Sequence, residues 1–213
     1  MTEAKFRLAF FDVDSTLVSI EGVDVLAGGN PEIARLTEAA MNGEIPLDQV
    51  YAKRLEIIQP ARAAVEELAK QYVGSIVDGA IDAIEKLHEA GLQIHLVTAG
   101  IAQAIAPLAA RLAVPERAVH AVSLRFDDAG HYADFDRRSP LTRPGGKELV
   151  VRDVRARSKG RAAFVGDGVT DLETKPAVDL FIGFGGVHVR PRVKENADVY
   201  AMDFRDVVSQ LLA

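Results

Sequence analysis

Residues Phe10 to Leu17 read FFDVDSTL. A run of apolar residues ends on two aspartates with one residue between them, and two hydroxyls follow. Like charges this close repel, and burying either one without a partner is costly. Helix capping would explain them, since Asp, Ser and Thr all cap well. The other explanation is a bound cation with chemistry on the carboxylates. Three further clusters decide between the two: Thr98-Ala99-Gly100 after QIHLV, Lys147 at the opening of a helical stretch, and Gly166-Asp167-Gly168-Val169-Thr170-Asp171 after AAFV. Each is weak alone. Together and in this order they suit phosphoryl transfer through an aspartyl phosphate.

The chemistry assigns the residues as follows. Mg²⁺ takes oxygen ligands in octahedral geometry. Asp12 and Asp167 offer carboxylate oxygens to it, and Asp14 its backbone carbonyl. An ionised carboxylate at Asp12 is a competent nucleophile toward phosphorus. Asp14, two residues on, falls on the same side as Asp12 if the strand persists. A neighbouring carboxylate raises its pKa, which suits a general acid that later activates water. Thr98 hydrogen-bonds a phosphate oxygen, Lys147 neutralises developing charge, and Asp171 anchors Lys147 or a metal-bound water.

Such a site needs elements that bring the four clusters to one edge. Residues 7–13 and 93–98 read as strands, as do the short runs 162–165 and 180–183. Helices are expected over 79–90, stopping at Gly91, and over 101–112, 147–157 and 203–212. Residues 118–136 alternate around an Asp-Asp-Ala-Gly turn and read as a hairpin. Strands alternating with helices predict an α/β fold with a parallel sheet, whose strands share a carboxyl edge. The stretch 19–71 breaks that rhythm with helical composition. Pro31, Pro46 and Pro60 stand where helices begin, and Val50, Leu55, Ile57 and Ile58 form an apolar face. It is read as an insertion over the carboxyl edge, where open sheets bind ligands. The expected division is a core of residues 1–17 and 76–213 and a helical cap of residues 18–75.

Bulk properties narrow the class. A length of 213 residues suits one domain carrying an insertion. The formal net charge of −6 gives no bulk attraction to nucleic acid or to anionic membrane. The absence of cysteine removes disulfides, thiol catalysis and cysteine metal sites. No run is long enough for a membrane span and the first apolar run is too short for a signal peptide, so a cytoplasmic protein, monomeric or homodimeric, is expected. His88, His95, His120, His131 and His188 show no ligand spacing and receive no role. Arg190, Arg192 and Lys194 read as a solvated face.

The stretches DVDSTL, EGVDVLA, AMNGEIPL, RLEIIQP, GGK, VGDGVTDLE and FIGFGG resemble the haloacid-dehalogenase superfamily, and within it the phosphatases that act on phosphoserine. The resemblance covers nearly the whole chain. It implies a Rossmann-like parallel-sheet core with a small all-helical cap inserted after the first strand. It also implies Mg²⁺-dependent hydrolysis of O-phospho-L-serine, the last step of serine biosynthesis. By resemblance, Asp12 is nucleophile and metal ligand, Asp14 acid/base and backbone metal ligand, and Asp167 the remaining ligand. Thr98, Gly100 and Lys147 match phosphate-binding positions, with Ala99 between them. Glu21, Met41 and Arg54 match cap residues that contact the serine part, with Asn42 beside Met41, and Thr170 lies near the substrate. A carboxylate and a guanidinium suit the ammonium and carboxylate of phosphoserine. Ala99 and Asn42 stand where glycine is usual. A phosphatase or phosphotransferase acting on another small phospho-amino acid or amino-alcohol phosphate is the alternative reading.

Overall fold

The computed structural model describes residues 6–212. In chain order its strands are β1 (Leu8–Phe11), β2 (Gln93–Ile101), β3 (Val119–Val122), β4 (Leu124–Phe126), β5 (Tyr132–Phe135), β6 (Ala162–Gly166), β7 (Leu180–Phe184) and β8 (Val199–Ala201). The helices are α1 (Gly22–Leu26), α2 (Pro31–Met41), α3 (Leu47–Ile58), α4 (Arg62–Gly74), α5 (Ala80–Glu89), α6 (Ala102–Arg111), α7 (Gly146–Ala156), α8 (Val169–Leu172), α9 (Pro191–Asn196) and α10 (Phe204–Leu212).

Six strands form one parallel sheet in the order β3-β2-β1-β6-β7-β8. The three central strands β1, β6 and β7 are almost wholly buried, as expected where helices cover both faces. Phe10, Phe164 and Phe181 pair across them in register. Their rings stack at 6.4 and 6.3 Å between centroids, a cross-strand aromatic row that fixes the alignment of the strands.

That alignment positions the clusters. Phe11 pairs with Leu96 on one side and Val165 on the other. Asp12 therefore follows the shared level by one residue, and Thr98 and Asp167 by two. The Asp12 amide extends the ladder by donating to the Val165 carbonyl at 3.0 Å.

Three elements differ from the sequence expectation. β2 runs on to Ile101, so Thr98-Ala99-Gly100 lies within extended backbone whose register against β3 shifts between Val97 and Ile101. The hairpin is only β4–β5, while β3 joins the main sheet beside β2. β8 extends the far edge and was not expected.

Helices α1 to α4 occupy the chain between β1 and α5. Pro31 is the first residue of α2, and Asn30 caps it by accepting the Glu32 amide hydrogen. In α3, Val50 and Leu55 are buried but Ile57 is exposed. Val18 and Ile76 form an antiparallel bridge, so the chain leaves and rejoins the sheet layer at adjacent points. Helix α4 packs against α6, and α2 against α8.

Candidate active site

β1 ends in a tight turn in which the Thr16 and Leu17 amides both return to the Val13 carbonyl and Ser15 takes a positive φ of 53°. This turn buries Asp12 at 2% exposure at the carboxyl edge. Lys147, in the first turn of α7, lies 2.8 Å from Asp12 Oδ1 and 2.6 Å from Asp171 Oδ1. Only the Asp171 contact has hydrogen-bond geometry, so Asp12 Oδ1 is buried in ion-pair contact with no hydrogen bond. The other Asp171 oxygen accepts the Gly168 amide hydrogen at 2.8 Å. Gly166 must be bare, because a Cβ there would overlap the Asp171 carboxylate.

Asp167 is fully buried. Its Oδ1 accepts from Thr16 Oγ1 at 3.3 Å and its Oδ2 from Arg190 Nε at 2.9 Å. Asp12, Asp167 and Asp171 each present an oxygen within 4.8 Å of the others. An all-oxygen donor set, in which Asp12 also carries a buried oxygen without a hydrogen bond, fits a hard divalent cation.

The electrostatics point the same way. Burial, then Asp12, pushes Asp167 up to about 7 against the pull of Arg190. Burial, then Asp12, pushes Asp14 up to about 6, although Tyr72 and the Gly22 amide oppose this. Burial and Asp12 also hold Asp171 well above the carboxylate range, with Lys147 opposing. Burial alone would lower Lys147, but Asp12 and Asp171 outweigh it and keep the ammonium above its ordinary value. Several carboxylates share too few cations, which is the pattern of a functional site.

Asp12, Asp14, Glu21, Met41, Arg54, Thr98, Ala99, Gly100 and Thr170 border one cavity of about 50 Å³. The Gly100 amide donates to Thr98 Oγ1 at 3.0 Å, which leaves the hydroxyl hydrogen free to donate. Glu21 Oε1 accepts from Ser15 Oγ at 2.6 Å. Burial, then Asp14 and Asp167, raises Glu21 well above its ordinary range. Arg54 is 5% exposed; its Nη1 donates to Thr37 Oγ1 at 3.0 Å, and Thr37 donates to Asp24 at 2.6 Å. Its Nε has no partner. Burial lowers the Arg54 pKa, with Tyr51 and Asp24 opposing.

Asn42 lies outside the cavity lining: its Oδ1 accepts from Arg190 Nη1 at 3.2 Å. Arg190 is the main correction to the sequence reading. It is not a solvated residue but is 5% exposed and bound to Asp167. Tyr51, whose hydroxyl donates to the Ala99 carbonyl at 2.9 Å, and Tyr72, which donates to Asp14, also escape notice in the sequence. Val65, Leu68, Ala69 and Tyr72 form a buried helical stripe that signals burial of Tyr72 but not its partner.

The family model for haloacid dehalogenase-like hydrolases matches residues 9–174, and the chain belongs to this family. The phosphoserine phosphatase of Mus musculus is 36% identical over 205 residues, covering 94% of this chain and 91% of that one. The chloroplastic phosphoserine phosphatase of Arabidopsis thaliana is 36% identical over 210 residues, covering 94% of this chain and 70% of its own. In fold, the chain is similar to a phosphoserine phosphohydrolase-like protein of Francisella tularensis, with a TM-score of 0.88 at 24% identity over 96% of this chain and 99% of that one. Among the described residues no helix is long and apolar enough to cross a membrane.

Proposed function

We propose that this enzyme is a Mg²⁺-dependent phosphatase that hydrolyses O-phospho-L-serine to L-serine and phosphate, closing a cytoplasmic route to serine. The observation that carries the reading is the cavity itself. Asp12, Asp14 and Thr98 border it from the sheet edge, and Glu21 and Arg54 border it from the helical stretch. Arg54 keeps a buried, unpartnered Nε there. A carboxylate and a guanidinium on one cavity match the ammonium and carboxylate that distinguish phosphoserine from other small phosphate esters. The curated relatives from Mus musculus and Arabidopsis thaliana are named phosphoserine phosphatases.

Asp12 attacks phosphorus, forming a P–O bond to its carboxylate while the bond from phosphorus to the serine oxygen breaks. Asp14 gives its proton to that oxygen. Water then attacks the phosphoryl group, passes a proton to Asp14, and the bond to Asp12 breaks, which restores both carboxyl groups. Thr98 donates its free hydroxyl hydrogen to a phosphoryl oxygen, and Lys147 keeps positive charge beside Asp12. Mg²⁺ would be held by Asp12, Asp167 and the Asp14 carbonyl, and would offset the charge of the phosphoryl oxygens. Residues 18–75 act as the cap, closing the cavity over the sheet edge so that the reacting groups are held away from water.

Phosphate release from a panel of esters with Mg²⁺ tests the reading. Phosphoserine is expected to lead phosphoglycolate, phosphothreonine and sugar phosphates. Equal rates across the panel would remove the substrate assignment while leaving the phosphatase chemistry.

A further inference from the structure

The carboxyl group of Asp14 is held unequally. Its Oδ1 accepts two hydrogen bonds, from the Gly22 amide at 2.8 Å and from Tyr72 Oη at 2.8 Å. Its Oδ2 accepts no hydrogen bond from the described residues and lies beside Gly100. A Cβ at Gly100 would stand 3.1 Å from Asp14 Oδ2 and 3.2 Å from Thr98 Oγ1. One oxygen is therefore occupied by donors from the helical stretch, and the other is turned to the wall where phosphate is expected. Two donors aimed at Oδ1 disfavour a proton there, which leaves Oδ2 to carry it.

Tyr72 is seated for this contact. It is fully buried, so its hydroxyl needs a partner, and it finds Asp14. No side chain fits at Gly22, because a Cβ would overlap the Tyr72 hydroxyl. The segment after Tyr72 is tied to the segment after Asp14. The Ser19 amide donates to the Ser75 carbonyl at 2.9 Å, and the Val77 amide donates to the Leu17 carbonyl at 3.0 Å, on either side of the bridge between Val18 and Ile76. Tyr72 and Asp14 thus hang from one short braced span, which holds them in contact.

We infer that Tyr72 is a positioning residue for the reaction: its hydroxyl, with the Gly22 amide, fixes the Asp14 carboxyl so that the free oxygen meets the departing ester oxygen. The inference rests on the phosphatase reading above. It requires only that Asp14 protonate an alkoxide, whichever alcohol that is.

The test is release of alcohol in the first turnover by rapid quench, in wild type and Tyr72→Phe. The two substrates are phosphoserine, whose leaving oxygen needs a proton, and 4-nitrophenyl phosphate, whose leaving group departs without one. The loss of one hydrogen bond to a charged group predicts a fall of about 10- to 100-fold for phosphoserine. For 4-nitrophenyl phosphate the fall is expected to stay under about threefold, because no proton transfer assists it. Little change in KM is expected for either. Equal losses on both substrates, or no loss on either, overturn the inference. If Tyr72→Phe does not fold, Tyr72→Met fills the space without a donor and carries the same comparison. If wild type cleaves other alkyl phosphates but not phosphoserine, the substrate reading fails and the ratio is taken with phosphoethanolamine. If wild type cleaves no ester, both fail.

Discussion

Arg190 Nε donates to Asp167 Oδ2 at 2.9 Å, while Nη1 of the same guanidinium reaches Glu38 Oε1 at 3.0 Å and Asn42 Oδ1 at 3.2 Å. One cation thus joins an aspartate at the end of β6 to α2 and the residue that caps it. Removing one partner of a buried pair leaves the other charge uncompensated, so Arg190→Ala is expected to lower unfolding free energy by about 3 kcal/mol. A divalent cation at Asp167 replaces part of the lost charge. Urea unfolding in EDTA and in Mg²⁺ should therefore show a smaller loss with the metal. Equal losses under both conditions would dissociate Arg190 from the metal site.

Asp12 burdens the metal-free protein. It is the leading charge that raises Asp167 and Asp171, and it also raises Asp14. Asp12→Asn keeps the shape and removes that repulsion. In EDTA the variant is expected to gain about 1 kcal/mol of stability, as at many active sites where function opposes stability. It is also expected to form no phosphoenzyme and to release no phosphate. A variant less stable than wild type in EDTA would mean that the Lys147 contact outweighs the repulsion among the carboxylates.

Substitutions at Glu21 and Arg54, which border the cavity, test whether substrate choice is separate from chemistry. Glu21→Gln or Arg54→Met is expected to cost about 2 kcal/mol, roughly 30-fold, in kcat/KM for phosphoserine, because a charge of the substrate loses its partner. The loss on 4-nitrophenyl phosphate should be much smaller, since that ester has neither ammonium nor carboxylate. Parallel losses on both esters would assign these residues to the architecture of the cavity.

β2 and β3 bring two histidines together. His95 Nδ1 and His120 Nε2 are 3.2 Å apart, with rings stacked at 5.5 Å. Burial, then His120 and Arg117, pushes His95 down to about 4, and burial, then Arg157, lowers His120 against Asp153. Both are neutral in the fold at neutral pH. Below the ordinary histidine value of about 6.5 the unfolded chain takes up protons that the folded chain refuses, so unfolding is favoured as pH falls from there toward 4. Solvent still reaches both rings, which limits the effect to about 1 kcal/mol. Urea unfolding at pH 7.5 and pH 5 should show wild type faring worse on acidification than His95→Gln by about that amount, the raised Asp14 and Asp167, which act in the opposite sense, being common to both proteins. An identical pH dependence in the two proteins would rule the pair out.

The parallel sheet and the groups at its edge were legible for one reason. Asp12, Thr98 and Asp167 each follow a short apolar run, and parallel topology sends the ends of such runs to one side. The end of β2 was not legible, because Gly100 signals a break after Thr98 and yet Thr98-Ala99-Gly100-Ile101 stays extended. β8 is three residues long and carries no period of its own. Arg190 and Tyr72 were missed for a different reason. Their partners stand 23 and 58 positions away, and a charged residue before a proline or a tyrosine in a helical stripe has the local signature of a surface or of a core.

The bridge between Val18 and Ile76 means that the fifty-odd residues between them begin and end at one doorway. A detour that returns to its own starting point leaves the sheet's connectivity intact, and its length costs little more as it grows. The same stem can therefore carry a longer, shorter or differently shaped excursion, provided Gly22 and Tyr72 stay near it to hold Asp14. Selectivity in such a chain can be exchanged with reactivity left in place so long as the two ends of the detour are inherited with the sheet.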